Sequence, residues 1–343
     1  VITLYIAAGC STGYGEDLIK AAFSLNYGMI ETMAHYVAAQ DICPNVSFIL
    51  DIGGQDMKAI YVENGILTRM EINEACSSGC GSFIETFAQT LGCEISEFVQ
   101  EACKSLTPCD LGTRCTVFMN SKVKQVLREG YSLSDISAGL AYSVVKNCLF
   151  KVLKIKNYDE LGDNIVLQGG TMRNDAIVKA FENLTNRKVY RNNIPELMGA
   201  YGCALYAQRQ STKKSVESRQ LDSIMQAANY TLDSLQCKGC ENQCQITRYK
   251  FQTGQTFYSG NKCEKIFTNG ANAQYTGVKM SDFKYNSLFK NEGEKKSFSK
   301  PHVVIGIPQV LNMFEEYPFW KTLFEACGIE IVLSSTSPYQ NYA

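Results

Sequence analysis

The chain has almost no charge excess: 33 Lys and Arg face 34 Asp and Glu, a net of −1 over 343 residues. A basic face for nucleic acid or an anionic membrane surface is therefore not expected, and neither partner is predicted. Also missing is any apolar run of about 18 residues, the minimum for a membrane-spanning helix, and no signal-peptide pattern opens the chain. A cytoplasmic location is expected. No self-similarity with a period of roughly 20 to 50 residues occurs, which sets aside solenoids and propellers. An initiating methionine is lacking too: Val1 opens directly into a strand-like segment, Val1-Ile-Thr-Leu-Tyr-Ile6. At the other end a strand-like run from Ile329 to Ser335 is cut off soon after it starts. Truncation at both ends is the expectation.

What the chain has in excess is cysteine, with 15 residues. In a reducing compartment, clustered thiols point to metal or cluster ligation ahead of a disulfide framework. The hydrophobic share of 45% and charged share of 20% are those of an ordinary globular protein without long disordered tracts. A length of 343 residues predicts two or more folded units.

Residues 1–208 alternate strand-like and helix-like stretches, a pattern of α/β class. Leu18, Ile19, Ala22, Phe23 and Leu25 have helical spacing, and Val46-Ser-Phe-Ile-Leu50 reads as a buried strand. Met57 to Val62 and Ile66 to Ile72 flank Glu63-Asn64-Gly65, and Asn-Gly is a strong hairpin signal because both turn positions need positive φ. Residues 209–232 read as a polar connector with helix around Leu221 to Leu235. Residues 233–275 form a cysteine-rich segment, and 276–300 read as a linker. From 301 to 343 strand (Val303 to Ile307), helix (Tyr317 to Cys327) and strand (Ile329 to Leu333) begin another α/β unit.

Asp51-Ile-Gly-Gly-Gln-Asp56 lies between the buried strand and the hairpin, where glycines let a backbone approach a phosphate. Asp51 is placed to hold a hydrated Mg²⁺, an ion that keeps its waters and takes one or two carboxylates plus phosphate oxygens. Gln55 or Asp56 would orient an attacking water. A second pair, Gly169-Gly170, follows the strand Asn164 to Leu167 and Gln168, and leads into a helix starting near Asn174. There a nucleotide base and ribose would lie against bare backbone. Gly53, Gly54, Gly169, Gly170 and Asn174 are thus the candidate nucleotide contacts, with Asp51, Gln55 and Asp56 as the catalytic group. A tight structural turn is the plainer reading of either glycine pair alone. Thr12-Gly-Tyr-Gly15 is read as a structural turn.

Cys76 and Cys115 each precede a helical pattern, and a helix N-terminus stabilises thiolate and an anionic cluster. Two such ligands are half of a four-cysteine cluster, so a homodimer or paired domain would supply the rest. Cys10, Cys43, Cys93, Cys148, Cys203 and Cys327 suit the role of small hydrophobes, whereas Cys80, Cys103 and Cys109 are undecided. Cys237, Cys240, Cys244 and Cys263 stand close together in sequence and suit Zn²⁺ or a second iron-sulfur cluster, with sulfurs expected to converge within about 4 Å.

Asp51-Ile-Gly-Gly-Gln-Asp-Met-Lys58, Asn73-Glu-Ala-Cys-Ser-Ser-Gly-Cys-Gly-Ser-Phe83, Cys115-Thr-Val-Phe118 and Gly169-Gly170 occur in an order that carries a resemblance. The chain resembles the activator ATPases of 2-hydroxyacyl-CoA dehydratases and benzoyl-CoA reductase systems, the BadF/BadG/BcrA/BcrD-like family, over roughly residues 1–208. The resemblance implies an actin-like fold of the acetate kinase, sugar kinase and Hsp70 type, with two RNase H-like halves around Mg-ATP or Mg-ADP. It implies that Cys76 and Cys115 ligate a [4Fe-4S] cluster shared across a homodimer or paired activase domain. ATP hydrolysis would drive a low-potential electron into a 2-hydroxyacyl-CoA dehydratase-like component, fused or separate. Glu31 and His35 fit the family's Glu-x-x-x-His helix, near the phosphates or the domain interface; a core histidine is the plainer reading of His35. The family's first phosphate loop, an Asp-x-Gly-Ser/Thr hairpin, does not occur here. Cys80 and Ser82 are similar to the large fused activase-related proteins, in which a cysteine motif and a dehydratase-like region follow the activase module.

Two competing readings differ in their use of these cysteines. A sugar-kinase-like or Hsp70-like ATPase shares the fold but has no use for thiols at helix starts. A zinc-binding interaction or regulatory module beside a degenerate ATPase would centre on Cys237 to Cys263.

Overall fold

The computed structural model describes residues 3–73, 80–212, 217–240, 242–263, 266–269, 280–290, 303–310 and 312–335. It divides into two compact units, residues 1–231 with 249–257, and 232–248 with 258–343. No described helix is long and apolar enough to cross a membrane.

The first unit is built on a five-stranded sheet of β1 (Phe48–Ile52), β2 (Met57–Glu63), β3 (Ile66–Asn73), β4 (Ile165–Gln168) and β5 (Val189–Arg191), in the order β3-β2-β1-β4-β5. The first three strands are antiparallel, while β4 runs parallel to β1 and β5 parallel to β4. The expected hairpin is present, with Asn64 and Gly65 at φ of 52° and 75°. All five residues of β1 are buried, as a central strand covered on both faces requires.

The covering elements are helices α1 (Glu31–Ile42), α2 (Gly81–Thr90), α3 (Thr116–Arg128), α4 (Leu133–Lys146), α5 (Asp175–Thr185) and α6 (Met198–Ser211). Because successive strand residues point to opposite faces, Phe48, Leu50 and Ile52 enter one core with Phe83, Phe87, Met119, Leu140 and Phe181. Ile49 enters the other with Ile60, Val166, Tyr36 and Ala39 from α1. The same alternation puts Asp51 on the α1 face. Helix α1 is in turn backed by α6, where Gly202 permits a close crossing: a Cβ there would lie 1.8 Å from the Ala34 carbonyl oxygen.

Two expectations are corrected. Helix ends at Ala227, and Tyr230–Gln236 is a strand in a three-stranded sheet with Gln245–Phe251 and Thr256–Ser259. Aromatic packing of Tyr230 on Tyr249 and Phe251 outweighs the local helical pattern. Residues 280–290, placed in a linker, are helical, because Phe289 is an apolar anchor that stacks on Tyr317 with ring centroids 4.9 Å apart. In the second unit, parallel strands Val304–Ile307 and Glu330–Leu333 are joined by helix Met313–Ala326.

Candidate active site

Strand register assembles the site. Asp51 is paired with Lys58 across the antiparallel β1–β2 ladder and with Gln168 across the parallel β1–β4 ladder. All three side chains therefore stand in one row on the α1 face, and all three are buried. Above the row, α1 places Glu31 and His35 four residues apart on one helical face. His35 Nε2 lies 3.6 Å from Asp51 Oδ2 and 3.7 Å from Glu31 Oε1. Its Nδ1 is 2.6 Å from Gln168 Oε1, and Gln168 Nε2 donates to the His35 carbonyl oxygen at 3.1 Å. Lys58 Nζ donates to Glu31 at 3.1 Å and to Asp56 at 2.6 Å.

Burial pushes the Asp51 carboxyl above its usual range, outweighing the pull of His35 and Lys58. His35 and then Lys58 outweigh burial at Glu31 and hold it down at about 2. Burial opposes charge on His35, but Glu31, Asp51 and Gln168 together turn its shift upward. At Lys58, burial is likewise outweighed by Asp56 and Glu31, and the net shift is upward. No hydrogen bond reaches the Asp51 carboxylate among the described residues. Three carboxylates thus face one lysine and one histidine, and the most buried carboxylate is the one left without a donor.

Such a donor set fits a hydrated magnesium ion, which would supply the missing partner to Asp51. Ligand atoms of Glu31, His35 and Asp51 lie within 4.8 Å of one another, and among the described residues no other group of three or more His, Cys, Asp or Glu does so. Asp51 is the natural anchor, since Mg²⁺ prefers oxygen and His35 offers nitrogen.

Glycine backbone lies beside Asp51. Gly53 donates to the Asp56 carbonyl at 2.9 Å, and the Gly53 carbonyl accepts from Gly81 N–H at 3.0 Å and from Thr171 Oγ1 at 2.8 Å. Gly54 accepts from Ser82 N–H at 2.9 Å. The second glycine loop abuts the first: Gly169 has φ of +92°, and a Cβ there would meet Ile52 O at 2.2 Å and Asp51 Oδ1 at 2.7 Å. Gly54 and Gly170 are exposed, and Gly54 has nothing within 4 Å of an added Cβ. The loops expected to hold a nucleotide are therefore side by side, with bare backbone facing out.

Of the other expected residues, Asp56 is engaged by Lys58, and Gln55 is exposed at the loop tip. Asn174 caps α5, its Oδ1 accepting from Ala176 and Ile177 N–H. Cys115 is exposed at the N-cap position of α3. Cys76 lies outside the described residues; Cys80, buried, immediately precedes α2. The four downstream thiols do not converge as expected: no three of Cys237, Cys240, Cys244 and Cys263 come within 4.8 Å. Cys237 and Cys244 turn inward with Ile246, joined by a 2.8 Å backbone hydrogen bond, while Cys240 and Cys263 are exposed.

Sequence reasoning passed over Lys58 and Gln168 as site residues. Each is a buried polar residue on a largely apolar strand, and its place beside Asp51 arises only from strand pairing.

Residues 5–207 match the BadF/BadG/BcrA/BcrD ATPase family, and residues 304–343 match the CoA enzyme activase uncharacterised domain (DUF2229). The (R)-2-hydroxyglutaryl-CoA dehydratase activating ATPase of Acidaminococcus fermentans is 32% identical over 203 residues, 59% of this chain and 76% of that one. The 2-hydroxyisocaproyl-CoA dehydratase activator of Clostridioides difficile is 32% identical over 207 residues, 57% of this chain and 76% of that one. A solved structure of the 2-hydroxyisocaproyl-CoA dehydratase activator from Clostridium difficile, with bound ADPNP, superimposes with a TM-score of 0.53 at 31% identity. That match covers 62% of this chain and 78% of the other. With its two abutting glycine loops on an actin-like ATPase fold, the chain belongs to the BadF/BadG/BcrA/BcrD ATPase family.

Proposed function

We propose that this chain is the ATPase part of an activator that couples ATP hydrolysis to low-potential electron transfer into a 2-hydroxyacyl-CoA dehydratase-like component. The observation that carries the reading is Asp51, buried without a hydrogen-bond donor beside the backbones of Gly53 and Gly169. In this reading Asp51 holds the water shell of the nucleotide's magnesium, and Gly53-Gly54 and Gly169-Gly170 admit phosphate and nucleoside against bare backbone. Lys58 offsets the charge of Asp56 and Glu31, which would otherwise repel phosphate, and Gln55, exposed at the loop tip, is left to orient water.

Cys115, exposed at a helix N-cap, suits a ligand shared across an interface, and Cys76 is assigned as its companion. A [4Fe-4S] group bound there would supply one-electron transfer. The partner thiols come from a second copy or a paired activase domain. The link to the nucleotide is the bonding of Gly53 and Gly54 to Gly81 and Ser82, which follow the Cys76 segment directly.

Magnesium-dependent ATP turnover tests the first half: Asp51→Ala should abolish it while leaving the circular dichroism spectrum native. Anaerobic reconstitution with EPR and iron analysis tests the second, where Cys115→Ser should lose the cluster. Undiminished turnover in the first variant, or a full cluster signal in the second, would remove the corresponding half.

A further inference from the structure

We propose that Gln168 is the positioning residue for His35, fixing the imidazole with a proton on Nδ1 and with Nε2 turned toward Asp51. Gln168 is fully buried at the end of β4, and its side chain touches His35 at two points. A carboxamide has one accepting oxygen and one donating nitrogen. The His35 carbonyl oxygen can only accept, so the group facing it at 3.1 Å is the Gln168 nitrogen. That leaves Gln168 Oε1 facing Nδ1 at 2.6 Å. Two acceptors do not approach so closely, hence Nδ1 carries the hydrogen and donates it. The backbone carbonyl thus settles both the amide orientation and the ring tautomer, which side-chain contacts alone would leave open.

The other ring nitrogen is then the one presented to the site, 3.6 Å from Asp51 and 3.7 Å from Glu31. A flipped ring would lose its bond to Gln168, and Gly199 leaves little spare room, since a Cβ there would lie 3.4 Å from Nε2. Gln168 is also bonded by its own peptide link to Gly169, the residue whose backbone abuts Ile52 and Asp51. The tautomer assignment stands by itself; its use in catalysis, where Nε2 would accept a hydrogen bond from water held at Asp51, rests on the ATPase reading above.

The chain has two histidines, His35 and His302, so protein labelled with ¹⁵N-histidine gives two ring systems, and His302→Gln assigns them. At alkaline pH the wild-type His35 ring should show Nδ1 protonated. Gln168→Leu should shift the ring to the Nε2–H form, and Gln168→Glu, which keeps an acceptor toward Nδ1, should restore the Nδ1–H signature. An unprotonated Nδ1 in the wild type would overturn the assignment even where the leucine variant fails to fold. An unchanged spectrum in that variant would overturn the positioning of the ring by Gln168. In ATP turnover, Gln168→Leu should lower kcat about 10–100-fold, the range seen when an orienting partner beside a metal site is lost, with KM changed less than about threefold. A changed spectrum with unchanged kcat would refute the catalytic use of the positioning. Absence of ATPase activity in the wild type would fail the ATPase reading and leave the spectral result standing.

Discussion

The Asp51 site and the Cys237 to Cys263 segment reverse the relation between spacing along the chain and convergence in space. The first draws Glu31, His35, Asp51, Lys58 and Gln168 from distant stretches into one buried cluster, because strand register and a covering helix bring them there. The second has four thiols close together in sequence, yet two turn inward and two are exposed. A sheet imposes side-chain direction through pairing, whereas a cysteine spacing imposes none until a metal or a core selects it.

Gly169→Ala should break the first region most severely. Its Cβ would enter the space of the Ile52 carbonyl oxygen at a φ of +92°, so both steric overlap and backbone strain oppose it. A destabilisation on the order of 3 kcal/mol is expected in thermal or urea unfolding. A near-neutral result would mean that the two glycine loops do not abut.

Lys58→Met should cost roughly 1–3 kcal/mol, since Glu31 and Asp56 lose their shared cation. It should also alter the acid limb of stability. Glu31 is depressed from 4.5 to about 2 in the fold, so its contribution is complete above about 4.5 and is lost as pH falls toward 2. Unfolding midpoints measured across that range should fall less steeply in the variant than in the wild type. Equal slopes would remove Lys58 from the network.

The smallest effects belong to the second region and sharpen the contrast. Cys240→Ser and Cys263→Ser should each stay within about 0.5 kcal/mol, as exposed substitutions usually do. Cys244→Ser, which buries a hydroxyl among Ile246 and Cys237, should cost about 1–3 kcal/mol. Equal large losses at all four positions, with stoichiometric zinc or iron bound, would instead establish a shared metal site.

The glycine loops and the Asn64-Gly65 hairpin were legible because glycine and Asn-Gly carry conformational meaning at their own positions. Asp51 was legible from its place beside them. Lys58 and Gln168 were not, since their roles exist only once β2 and β4 flank β1 in register. The strand at Tyr230–Gln236 was misread as helix for the same reason: its aromatic partners lie on another strand. Helical turns at 280–290 were hidden in a polar stretch whose anchor, Phe289, finds its partner in Tyr317.

Asp51→Asn bears most directly on the claim that this row is a magnesium-nucleotide site. An acid whose folded pKa is raised by burial costs stability above its unfolded value, so neutralising Asp51 should stabilise the metal-free protein near pH 7. The same change should abolish the further stabilisation that Mg-ADP gives the wild type. Thermal unfolding of both proteins, with and without Mg-ADP, reads the two effects together. Opposite movement, a higher midpoint without ligand and no ligand-induced rise, is the predicted result. A destabilised variant that still responds to Mg-ADP as the wild type does would contradict the account.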